Sequence, residues 1–94
     1  MPIALTIYSR PGCHLCDDMK HLVARAIRRL EIPVTLDEID IETDPDLEAR
    51  YGEEIPVLLV DGQKVAKYRI TEEALMRALG ERASRSDKPG GPGG

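Results

Sequence analysis

The chain has 94 residues, 41% hydrophobic and 32% charged, which fits one domain with a packed core and excludes wholesale disorder. A net charge of −4 argues against a general nucleic-acid binder, and no apolar run reaches the roughly 18–20 residues that span a membrane. With no Phe, no Trp and three Tyr, the core must rest on Leu, Ile, Val, Ala and Met.

The opening residues, MPIALTIYSRPG, lack the basic region and long apolar stretch of a secretory signal, so a cytoplasmic location is expected. Ile3–Tyr8 reads as a strand with a turn after it at Ser9–Gly12. A helix follows from Cys13 or His14 to Leu30, its apolar residues spaced by three and four to give one buried stripe. Asp17 and Asp18 near its start and Arg25, Arg28 and Arg29 near its end match the helix dipole, and the arginines read as a solvated face.

Val34–Ile41 reads as a second strand. Asp44-Pro45 caps a short helix through Tyr51 that Gly52 closes. Ile55–Val60 is a near-continuous apolar run, the mark of a strand buried on both faces. Asp61-Gly62 turns the chain back into Gln63–Tyr68. Thr71 caps a last helix over Glu72–Leu79, with Gly80 near its end. The domain is placed at residues 1–83, and 84–94, SRSDKPGGPGG, reads as a flexible Gly/Pro-rich tail. The order β-α-β-α-β-β-α makes the first two strands parallel and the last two antiparallel, hence a mixed sheet flanked by helices.

Cys13 and Cys16 carry the chemistry. Residues three apart at a helix start have Cβ atoms about 5–6 Å apart, and a disulfide needs about 3.5–4.5 Å. A small adjustment therefore makes or breaks the bond. Cys13 lies at the helix start, where free N–H groups and the helix dipole stabilise a thiolate. Cys16 lies one turn in and is more covered. Cys13 is thus expected to attack a substrate disulfide and Cys16 to resolve the mixed disulfide.

His14, when protonated, would stabilise the thiolate; the contrary reading is an exposed side chain without effect. Lys67, Tyr68 and Arg69 read as protective polar groups of an edge strand or as substrate contacts. No metal is expected, because two thiolates with His14 and His21 pointing elsewhere do not make the four ligands of a structural zinc site. An iron–sulfur cluster shared between two chains and a non-catalytic binding module stay open as alternatives.

YSRPGCHLC, the downstream EIP and the element order resemble the glutaredoxins of the thioredoxin-like superfamily over about residues 3–80. More narrowly, the chain is similar to small bacterial glutaredoxin-like proteins that keep the C-x-x-C and lose other glutaredoxin marks. The resemblance implies an α/β thioredoxin-like fold, a four-stranded mixed sheet flanked by three helices. It also implies a dithiol/disulfide oxidoreductase, an electron carrier in cell redox homeostasis with no bound cofactor. Pro56 would be a cis-proline facing the cysteines, and the backbone at Ile55 would pair with the substrate. Arg10 stands where glutaredoxins usually carry Lys; its cation would hold a glutathione carboxylate or lower the Cys13 pKa. His14 and Leu15 replace the usual Pro-Tyr and complete the implied substrate-binding set of Arg10, His14, Leu15, Ile55 and Pro56.

The family's Gly-Gly and polar pair after the last strand are replaced by KVAKYRITEE. The expected partner is therefore a disulfide-containing protein or a low-molecular-weight thiol. A thiol reductase or glutathione would restore the dithiol, and glutathione need not be the co-substrate. The chain is expected to act as a monomer.

Overall fold

Strict alternation in IALTIYS builds β1, Ile3–Ser9, whose odd-numbered residues are all buried. The computed structural model describes residues 2–31 and 33–86. Gly12, at φ +80, turns the chain from β1 into α1, His14–Arg29. Cys16, Met19, Val23 and Ala26 form the buried stripe of α1. β2, Val34–Asp40, returns parallel to β1 in a register running from Ile3↔Val34 to Ser9↔Asp40. A 3-10 turn over Ile41–Thr43 leads to α2, Pro45–Tyr51, where the Asp44 carboxylate accepts from the Asp46 and Leu47 N–H groups.

β3, Val57–Val60, and β4, Gln63–Lys67, form a hairpin turned by Asp61 at φ 48 and Gly62 at φ 86. Two consecutive positive φ values are the signature of a tight hairpin turn whose twist suits the strands. α3, Glu72–Ser86, starts with the Thr71 hydroxyl accepting from the Ala74 N–H.

The sheet order is β2-β1-β3-β4, so β3 lies between two strands and all four of its residues are buried. α1 and α3 pack on one face, where Met19, Val23, Leu75 and Leu79 meet Leu5, Ile7, Leu58 and Val60. On the opposite face the Tyr8 ring lies 4.8 Å from that of Tyr51 on α2. The expected mixed four-stranded sheet with three α-helices is therefore present. No helix among the described residues is long and apolar enough to cross a membrane.

Boundaries differ from the sequence reading: β1 runs one residue further, to Ser9, α1 ends one earlier, at Arg29, and four others shift for identifiable reasons. β2 ends at Asp40 because Ile41 turns fully inward and the Asp40 carboxylate caps the following turn through Glu42 N–H. β3 starts at Val57, after Ile55 and Pro56, since proline has no N–H to give a ladder. β4 stops at Lys67 because Tyr68 takes φ 68, outside the strand region. α3 passes Gly80 to Ser86, and Arg82, inside that extension, pairs with the Asp61 carboxylate. Residues 84–86, expected in the tail, are thus helical; the rest of that tail, 87–94, lies outside the described residues.

Candidate active site

The C-terminal end of β1 carries the site. Tyr8 pairs with Val57, so the register sets Pro56 beside Ser9 at the end of the sheet from which the cysteine loop departs. The Ile55–Pro56 peptide is cis, as the resemblance implied, and Pro56 is fully buried. The Ile55 backbone N–H and C=O make no hydrogen bond among the described residues. Buried or half-buried backbone groups normally find partners. A free pair at a sheet end is the arrangement an incoming extended chain can complete.

Cys13 is the N-cap of α1, with extended backbone at φ −89 and ψ 108. Its sulfur accepts the Cys16 N–H at 3.1 Å, one of the donors a helix start leaves unpaired. The two cysteines are joined as a disulfide with Cα atoms 5.2 Å apart. Cys16 is only 2% exposed, whereas Cys13 is half-buried, so the outer sulfur is the one a substrate can reach. His14 is exposed on the first helical residue.

The cysteine loop has two flanks. On one side Leu15 joins Met19, Leu22 and Ile70 in a groove of about 220 Å³, rimmed by Asp18, Tyr68 and Arg69. On the other lies a charged cleft of about 340 Å³ containing Arg10, Gly12, Asp17, Lys20 and Glu38. Within it the Ser9 hydroxyl donates to Glu38 at 3.0 Å, and Lys20 pairs with the same carboxylate at 3.2 Å. Arg10 reaches the C-terminal end of α2, donating to the Gly52 carbonyl at 3.5 Å and lying 4.0 Å from the Glu48 carboxylate. A cation is well placed at a helix C-terminus. Arg10 Nε is buried without a partner. The structure therefore brings Cys13, Cys16, Leu15, Ile55 and Pro56 to one end of the sheet, and gives Arg10 a contact with α2.

The sequence reading named Tyr68 and missed what it does. Its N–H donates to the Pro56 carbonyl and its hydroxyl to the Glu53 carbonyl, both at 2.8 Å, so it straps the proline loop from both ends. It does so from a three-residue turn closed by Arg69 N–H to the Lys67 carbonyl. Positive φ on a tyrosine leaves no local signal, except that this stretch replaces the glycines of the resembled family.

Two carboxyls are held below their ordinary range. Glu54 accepts a hydrogen bond from Lys64, with Lys67 adding to the effect, and Asp61 accepts from the Ala4 N–H and then from Arg82. Both lie outside the cysteine loop. Among the described residues no group of three or more His, Cys, Asp and Glu is placed to hold a metal ion.

Known proteins agree with this geometry. Chloroplastic thioredoxin z shares the fold at a TM-score of 0.71 and 12% identity, over 88% of this chain and 80% of its own. The structure of protein XcR50 from X. campestris superposes at a TM-score of 0.68 with 31% identity, over 82% of this chain and 96% of that one. The fold is thus thioredoxin-like. The family model of the glutaredoxin-like domain (DUF836) matches residues 4–80. The glutaredoxin-like protein YDR286C homolog of Dictyostelium discoideum is 30% identical over 78 residues, spanning 78% of this chain and 71% of its own length. The chain belongs to the glutaredoxin-like domain family.

Proposed function

We propose that the chain is a thiol–disulfide oxidoreductase in which Cys13 is the nucleophile and Cys16 the resolving thiol. The observation that carries this is the asymmetry of the pair: Cys13 is accessible and Cys16 is 2% exposed. In the dithiol form the Cys13 thiolate attacks one sulfur of a substrate disulfide. The substrate bond breaks, and the first substrate sulfur leaves as a thiolate that takes up a proton. Cys16 then loses its proton and attacks the Cys13 sulfur. The mixed disulfide breaks, the second substrate sulfur leaves, and the Cys13–Cys16 disulfide forms. Two electrons and two protons pass to the substrate in total. The Cys16 N–H at 3.1 Å and the start of α1 stabilise the Cys13 thiolate when it attacks and when it leaves.

The free backbone of Ile55 beside Pro56 would hold the substrate chain in strand-like fashion. A thiol reductase or glutathione restores the dithiol, glutathione being one candidate for that role.

Incubation of Cys16→Ser with a disulfide substrate is expected to accumulate a mixed disulfide on Cys13, visible by mass spectrometry. Cys13→Ser is expected to accumulate none. The reverse pattern overturns the assignment.

A further inference from the structure

The groove beside Leu15 does not end at its rim. Arg69 and Ile70 also line a second trough of about 560 Å³ between β4 and α3, walled by Val65, Ala74 and Ala78. An apolar track therefore runs from the cysteine loop, over the turn at Tyr68–Ile70, to the outer edge of the sheet. Among the described residues, Val65 and Tyr68 along it are the large hydrophobic side chains most exposed to solvent, at 40% and 43%. Arg69 stands at the junction of the two grooves and makes no ion pair among the described residues. Lys67 beside it rests over the Tyr68 ring at 5.6 Å. The junction is thus apolar below and cationic above.

The opposite edge is built differently. Residues 37–48, from β2 into α2, carry seven acidic side chains and no Lys or Arg. An acidic polypeptide would be repelled there and drawn to the Arg69 junction. The groove volume near Cys13 suits one large aliphatic or aromatic side chain.

Resting on the thiol–disulfide reading above, we infer that the substrate is a polypeptide disulfide carrying an apolar side chain beside its reactive cysteine and an acidic residue further along. The apolar side chain enters the groove of Leu15, Met19, Leu22 and Ile70. The acidic residue meets Arg69, and the chain continues over the β4–α3 trough. Glutathione has carboxylates but no apolar side chain to fill the groove floor.

The test uses the reduced full chain and peptides whose single cysteine is bonded to 2-mercaptoethanol. The readout is the second-order rate of Cys13–Cys16 disulfide formation, by acid quench and mass spectrometry. One peptide pair differs by Leu or Ser next to the cysteine, a second by Glu or Lys further out, each made with the change on either side of the cysteine. Leu is expected to outrun Ser by about tenfold on one side, the scale of filling an apolar pocket. Glu is expected to outrun Lys by about threefold at low salt, a ratio that falls toward one in 1 M salt. In Arg69→Glu the Glu/Lys order is expected to invert, with Arg69→Gln in between. Equal rates for Leu and Ser peptides, or an unchanged Glu/Lys ratio in Arg69→Glu, overturn the inference. Bis(2-hydroxyethyl) disulfide separates the two levels. If the wild-type chain reduces it and the peptides are not discriminated, the docking track is wrong. If the wild-type chain fails to reduce it, the oxidoreductase reading falls first.

Discussion

The two flanks of the cysteine loop are of opposite construction. In the charged cleft most of the charge is matched within the molecule, Glu38 to Ser9 and Lys20 and the Arg10 terminal nitrogen to the end of α2, while Arg10 Nε stays without a partner. In the groove beside Leu15 the floor is Met19, Leu22 and Ile70, which offer only packing, under a rim of Asp18, Tyr68 and Arg69. A group already paired gains little from a ligand, because binding exchanges one good contact for another. An apolar wall facing water gains from any apolar surface that covers it. The charged flank thus anchors α2 and β2 to the loop, and on the reading proposed above selection of a partner falls to the apolar flank.

Substitutions on each flank break or sharpen this contrast. Met19→Ala removes a floor residue that is 3% exposed and also part of the core. It is expected to cost about 2–5 kcal/mol in chemical denaturation, the range for buried large-to-small changes. Arg10→Ala is expected to cost about 1 kcal/mol by the same measurement, from one lost hydrogen bond and lost packing of its stem. Equal losses would show that the charged flank is as deeply integrated as the apolar one.

His14 lies between the flanks and is exposed. If its imidazolium supports the Cys13 thiolate, His14→Ala lowers the reduction potential by on the order of 10–20 mV against a glutathione buffer. An unchanged potential dismisses the role. The absolute value of the wild type sorts its direction, since about −270 mV marks a reductant and about −120 mV an oxidant.

The smallest expected effect lies far from both flanks, at Asp61. Its carboxylate accepts the Ala4 N–H at 2.9 Å and pairs with Arg82, and its pKa is lowered. A carboxyl depressed in the folded state stabilises the fold above its unfolded value of about 3.9, and that contribution is lost as pH falls through the folded value. Stability is therefore expected to decline below about pH 4. Asp61→Asn should flatten that part of a stability-against-pH curve and leave its neutral branch parallel to the wild type.

Much of the fold is legible in the chain because its signals are local. Alternation in IALTIYS, the three-four spacing of α1, Asp44-Pro45, Asp61-Gly62 and Thr71 each act within a few residues. The errors are equally physical. Ile41 leaves the strand because the core has room for it, and α3 continues past Gly80 toward a pairing with an aspartate in a distant turn. Of the site, Cys13, Cys16 and Leu15 could be placed from a strand-to-helix turn and residue spacing.

By itself, the sequence determined the elements, their order and the cysteine pair at a helix start, since capping, periodicity and dipole preferences act over one or two turns. Tertiary structure alone decided the rest. Strand order put Pro56 beside Ser9, a tyrosine at positive φ strapped the proline loop, and Arg10 met the end of α2. It also set two grooves side by side at Arg69 and Ile70. Those contacts join residues far apart in the chain, and their partners are set by packing, which no local pattern encodes.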